Sequence, residues 1–211
     1  LIGLITAQIL KAQGRKVFGF DISKGKVALA KNLGITEAYS SQDDFKEAVR
    51  ARTGGDGADA VIITASTSSS KPVNTAVAIS RTAARVVIVG VVDIHPNRQE
   101  MWEREVEIIV SKAGGAKSEE KENLAEFLNL LDDKKINIES LISHRFKINE
   151  AEETYEKIIK NEGGPYIGVI FEFGESEKIE RVIKNPEVKK STQKVSLGVV
   201  GAGVFGKALF L

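Results

Sequence analysis

Apolar positions along this chain switch between two spacings, and the switches mark out its elements. Ile5, Ile9 and Leu10 recur at helical intervals and Gly14 closes the segment, after which Lys16-Val17-Phe18-Gly19-Phe20-Asp21 reads as a strand. The next helix is predicted from about Lys24 to Leu33, with Val27, Ala30 and Leu33 on one side and Gly34 as its carboxyl-terminal cap. Ile35 to Tyr39 is a short extended connection, and Asp43 to Arg52 a further helix. A loop, Thr53-Gly54-Gly55-Asp56-Gly57, then leads into the strand Ala60 to Thr64. Ser70 is placed to cap a helix from Lys71 to Ser80, with Pro72 tolerated in its first turn. Arg85-Val86-Val87-Ile88-Val89-Gly90 is a fully apolar strand ending in glycine, and Val106 to Ser111 is another. Leu124, Phe127, Leu128 and Leu131 mark an amphipathic helix. Asn149 with Glu152 forms a capping box for a helix through Ile159, which Gly163-Gly164-Pro165 ends, and Tyr166 to Phe173 is a strand.

Continuous apolar strands separated by helices imply an α/β protein with a parallel sheet covered on both faces. The expected architecture is a Rossmann-type doubly wound sheet, and both chain ends bear on it. Val195 to Val200 is an apolar run opening into Gly201-Ala202-Gly203-Val204-Phe205-Gly206, a Gly-x-Gly-x-x-Gly turn. A strand delivers the chain to such a turn, the following helix points free N–H groups at a pyrophosphate, and only glycine lets backbone approach that closely. Ile2-Gly3 reads as the last glycine of an earlier motif whose strand would precede Leu1. The expected layout is therefore a dinucleotide-binding domain over residues 1–173, truncated at its first strand, a charged linker over 174–194, and the start of a second dinucleotide-binding domain over 195–211. A sheet ordered 3-2-1-4-5-6 without its first strand has a central gap, which Val195 to Val200 could fill within the chain or by exchange between chains.

Composition narrows the function. The 211 residues are 42% hydrophobic, enough for a sizeable core. Lys and Arg total 30 against 29 Asp and Glu, a formal charge of +1, and the two signs are interspersed. No basic face advertises nucleic acid or an anionic membrane, and the longest apolar runs, such as Val86 to Val92, are too short to span a bilayer. The absence of cysteine removes disulfides, thiolate catalysis and cysteine-ligated zinc, and fits a reducing compartment, the cytoplasm.

Asp21 carries the sharpest chemical expectation. It ends its strand eighteen residues after Gly3, where a dinucleotide fold places an acid to accept hydrogen bonds from the adenosine ribose. Its carboxylate would repel a 2′-phosphate, and no arginine stands beside it to compensate, so NAD is expected rather than NADP. The alternative is that Asp21 merely caps the following helix; strand, helix and spacing together favour the ribose.

These segments resemble the medium-chain, zinc-type alcohol dehydrogenases. The resemblance rests on Ile2-Gly3, Val17 to Asp21, Lys26 to Gly34, Gly57 to Ile62, Arg85 to Gly90, and Leu141 to Phe146 before Glu150-Ala151, in that order. It implies that Ile2 and Gly3 lie under the pyrophosphate, that Asp21 and Lys26 address the adenosine ribose, and that Gly90 and Val91 approach the nicotinamide. Ala65, with Thr64 and Ser66, is a rim candidate at the end of another strand. It also implies a catalytic zinc held by residues outside this chain, a small-molecule substrate, and a homodimer through the edge strand Tyr166 to Phe173. Val195 to Phe210 resembles the opening of the glucose-fructose oxidoreductase and inositol dehydrogenase family, so Gly201, Gly203 and Gly206 would hold a second dinucleotide. Together the two halves look like part of a bi-domain oxidoreductase acting on an alcohol, ketone or sugar, with this chain inactive alone.

Other residues carry less. His95 lies in a Pro-containing loop and His144 inside an apparently structural motif. Glu100, Glu103, Glu105 and Glu107 read as a solvated face, and the neighbouring Trp102 as packing. The connection Lys112 to Ser118 is short for the family. The functional alternative is a non-catalytic nucleotide-binding or interaction module.

Overall fold

The computed structural model describes residues 1–112 and 119–174. The chain divides after Glu172 into two units, and the fold that follows is that of the first. Its elements run in the order α1 (Ile2–Ala12), β1 (Phe18–Phe20), α2 (Lys24–Asn32), β2 (Glu37–Tyr39), α3 (Gln42–Arg52), β3 (Ala58–Ile63), α4 (Lys71–Ile79), β4 (Ser80–Ile88), α5 (Arg98–Glu103), β5 (Glu107–Val110), α6 (Glu120–Asp132), β6 (Ile142–Lys147), α7 (Ala151–Lys160) and β7 (Gly168–Glu172). Every strand pairing is parallel, and helices connect the strands, as the apolar runs require. This is a Rossmann-type α/β fold.

The sheet is not continuous among the described residues. β1 pairs with β2, β3 with β4 and β4 with β5, and β6 with β7, giving three separate pieces. A ladder needs neighbouring strands about 4.8 Å apart, and no ladder joins β1 to β3. Helices join these two pieces instead. Phe45 and Val49 of α3 pack with Phe18 and Tyr39 on one side and with Ala58 and Val61 of β3 on the other. On α1, Leu4 and Ala7 pack against Ala30, Ile35 and Ala38, a cluster that Val17 and Val27 also join. The segment Val195 to Val200, which could fill the gap, lies outside the described residues.

The main core forms where β4 runs between β3 and β5. Val86 and Ile88 sit opposite Val61 and Ile63 on one side, and Val86 opposite Ile108 on the other. Val73, Ala76 and Val77 of α4 close over them. Val73, Val77 and Val86 are fully buried, and each contributes roughly 1.5–3 kcal/mol by leaving water.

Several local expectations are corrected. Ser70 occupies the position before α4 but makes no cap bond; Ser69 Oγ accepts from Lys71 N instead (3.2 Å). The box before α7 is closed by Glu150 Oε2, which accepts from Lys147 N (3.3 Å), rather than by Asn149 with Glu152. α7 ends at Asn161, whose left-handed backbone (φ 55°) stops it before the glycines. Two elements went unrecognised in the sequence: α5, too short for periodicity, and β6, which alternates half-buried and exposed residues. Trp102, expected to pack, is 75% exposed.

Candidate functional site

Parallel strands bring their carboxyl ends to one side of a sheet, and an open α/β sheet binds ligands there. At the end of β1, Asp21 N donates to Tyr39 O (3.2 Å), which continues the pairing one residue beyond the strand. The Asp21 carboxylate then turns back on the chain: Oδ1 accepts from Ser23 N (2.9 Å), and Oδ2 lies 3.9 Å from Lys26 Nζ. Ser23 is the cap of α2, its Oγ accepting from Lys26 N (3.4 Å). Asp21 is thus freed from capping, and its second oxygen faces solvent beside a lysine. Both side chains are about 40% exposed, so their attraction is modest and screened.

The next carboxyl end belongs to β3. Thr64 follows it and meets the first turn of α1 so closely that a Cβ on Gly3 would lie 2.6 Å from Thr64 Oγ1. A side chain at residue 3 would therefore have to displace Thr64 Oγ1, while Ile2 beside it is exposed. Leu4, next to Gly3, packs into the cluster of Ala30, Ile35 and Ala38 beside β1 and β2. The first turn of α1 accordingly meets both the β1–β2 piece and the end of β3.

β4 supplies the third end. Val89 N and Gly90 N both donate to Ile63 O, each at 2.9 Å, so the chain leaving β4 presses onto the end of β3. A Cβ on Gly90 would lie 1.9 Å from Ala65 O and 2.7 Å from its carbonyl carbon. Backbone cannot yield as a side chain can, so Gly90 is required by contact with Ala65. Val91 follows with 78% of its surface exposed, its carbonyl accepting from Thr67 N (2.9 Å). The structure thus sets Ile2 and Gly3 beside Thr64, Asp21 beside Lys26, and Gly90 against Ala65, all at the carboxyl ends of β1, β3 and β4. Gly201, Gly203 and Gly206 lie outside the described residues.

The same residues fit a dinucleotide on this chain's own geometry: a helix start with no side chain at residue 3, a solvent-facing carboxylate at residue 21, and a close backbone approach at residue 90. A zinc ion does not fit them. Among the described residues no group of three or more His, Cys, Asp and Glu side chains could hold a metal. His95 Nδ1 is 2.8 Å from Asp93 Oδ1, and His144 packs between the rings of Phe146 and Tyr166 with Nδ1 2.9 Å from Ser143 Oγ. A surface cleft of about 590 Å³ lies elsewhere, along α5 and lined by Arg98, Met101, Trp102, Glu103, Glu105 and Val106. Val106 directly precedes β5, so this cleft opens at the amino ends of the strands, opposite Gly90.

The sequence profile described as zinc-binding dehydrogenase matches residues 2–130. The chain belongs to the zinc-binding dehydrogenase family. Among curated relatives, it is 30% identical over 168 residues to a sorbitol dehydrogenase of Halalkalibacterium halodurans, covering 76% of this chain and 47% of that protein. It is 31% identical over 167 residues to an (R,R)-butanediol dehydrogenase of Neisseria gonorrhoeae, covering 76% and 44%. The structure of galactitol-1-phosphate dehydrogenase from Escherichia coli superposes with a TM-score of 0.66 at 25% identity, covering 78% of this chain and 49% of that one. The chain therefore spans about half the length of the curated relatives it matches. Among the described residues no helix is long and apolar enough to cross a membrane.

Two features escaped the sequence reading. Thr64 was a rim candidate there, but its contact with Gly3 was not foreseen. Asn74 on α4 was not singled out at all, although its side chain reaches the loop after Gly90. A contact between positions more than twenty residues apart leaves no periodic signal.

Proposed function

We propose that this chain is the NAD-binding portion of an NAD-dependent oxidoreductase that acts on a small alcohol, ketone or sugar-type substrate. The observation that carries this reading is the first turn of α1, with Leu4 packed beside β1 and β2 and Gly3 against Thr64 at the end of β3. Free N–H groups and a side-chain-free glycine there suit a pyrophosphate, and Asp21 suits an unphosphorylated ribose. Gly90 and Val91 complete the rim on the nicotinamide side, where hydride is exchanged. Zinc chemistry, in this proposal, is supplied by residues outside this chain, which binds and orients the cofactor and is inactive alone. The relatives' activities toward polyols and diols support the substrate class.

The remaining expectations stand as parts of the same proposal: a second dinucleotide at Gly201, Gly203 and Gly206, a homodimer through the β7 edge, no nucleic-acid or membrane partner, and a cytoplasmic location.

A fluorescence titration tests the cofactor assignment. NADH is expected to bind at least about tenfold more tightly than NADPH, ~1.4 kcal/mol, because the Asp21 carboxylate opposes a 2′-phosphate. Asp21→Ala is expected to weaken NADH about tenfold, in line with hydrogen bonds to a charged group, and to remove most of that discrimination. Equal affinity for the two nucleotides would overturn the assignment. Absence of binding by the folded chain would leave the non-catalytic interaction module as the better account.

A further inference from the structure

Asn74 of α4 has a side chain that the core packing of the helix does not use. Val73, Ala76 and Val77 are directed into the core, whereas Asn74, next to Val73, is half-buried beside the loop that leaves Gly90. Its amide bridges helix and loop. Nδ2 donates to Ser70 O (3.2 Å) at the residue before the helix and to His95 O (3.1 Å) in the loop, while Oδ1 accepts from Asn97 N (2.7 Å). Both donor hydrogens and the acceptor oxygen of the amide are thereby engaged.

Asn97 extends the connection, since its Oδ1 accepts from Gln99 N (3.1 Å) and Glu100 N (3.2 Å) and so caps α5. At its other end the loop is pinned where Thr67 N donates to Val91 O (2.9 Å) and Thr67 forms a parallel bridge with Val92. Residues 91–97 are therefore held twice, by Thr67 near Gly90 and by Asn74 near α5. Ile94, His95 and Asn97 are exposed, so water can replace the bonds from Asn74 at small cost to folding. What water cannot replace is the fixed path of the loop.

We propose that Asn74 is a positioning residue for the cofactor, holding the Val91–Asn97 loop in place at the nicotinamide side of the site. This rests on the NAD-binding reading above. A loop ordered before binding spares the ligand the entropy of ordering it, so the effect of Asn74 falls on the half of the cofactor that meets the loop. ADP-ribose, which lacks nicotinamide, reaches only the Asp21 half and is the discriminating probe.

The test compares the wild-type chain with Asn74→Ala and Asn74→Asp, using isothermal titration with NADH and ADP-ribose and amide hydrogen exchange of the free protein. Asn74→Ala is expected to weaken NADH about tenfold, to leave ADP-ribose within about twofold, and to lose exchange protection at Asn97 N–H. Asn74→Asp keeps the acceptor for Asn97 N–H and is expected to retain that protection and to recover part of the NADH affinity. Equal losses for NADH and ADP-ribose would reduce Asn74 to a structural role, and unchanged NADH affinity would remove it from the site; either overturns the proposal while the NAD reading stands. A folded wild-type chain that binds neither ligand overturns both.

Discussion

Single backbone positions decide how closely the strand ends approach one another. Gly90 faces Ala65 O at a distance that admits a hydrogen and nothing larger. Gly90→Ala is therefore expected to destabilise the chain by about 1–3 kcal/mol in urea unfolding, as overpacking against rigid neighbours does. Ala83 presents the reverse case. It holds a left-handed backbone (φ 56°) within β4 while its N–H donates to Arg104 O (2.8 Å), a conformation that costs a side-chain-bearing residue about 1–2 kcal/mol. Ala83→Gly is expected to raise stability by about 0.5–1 kcal/mol in the same measurement, glycine's larger unfolded-state entropy offsetting the rest. Asp21, Gly3 and Gly90 were legible in the sequence because each ends or begins an element whose apolar spacing is clear. Ala83 was not, since nothing in Thr82-Ala83-Ala84 signals a positive φ. Asn74 was not, since its partners lie in an irregular loop.

At the level of elements, burial follows strand order. Among the described residues β4 lies between two partners and β5 has one, so equal valines on the two strands differ in environment. Val86 is fully buried and Val110 is 69% exposed. Val86→Ala is expected to cost about 2–3 kcal/mol through lost burial and the cavity left behind, whereas Val110→Ala stays within about 0.5 kcal/mol. Denaturant midpoints for the two variants check the contrast. The strands β1, β3, β4 and β5 were readable as apolar runs, and α1 to α4 as helical stripes between them. α5 was hidden by its six residues, less than two helical turns. α6 was recognised by its stripe, yet it buries none of its residues, with Leu124 and Leu128 more than half exposed. Periodicity reports which face is apolar and not whether that face is covered. Some long-range ties were equally silent, such as Gln8, whose amide exchanges two hydrogen bonds with the backbone of Asn137.

At the scale of the molecule, parallel strands and their helices put the cofactor candidates at their carboxyl ends and the cleft along α5 at their amino ends. The near-balanced charge of +1 offers no field to steer a polyanion, which leaves recognition to local groups such as the α1 start and Asp21. The central claim is that the carboxyl ends of β1, β3 and β4 form a dinucleotide site. Titrating the isotope-labelled chain with NAD and following its amide resonances tests this most directly. The account predicts that the largest shifts fall on Gly3, Asp21, Lys26, Gly90 and Val91. Shifts confined to Arg98, Trp102 and Glu105 would place the ligand in the opposite cleft and contradict it.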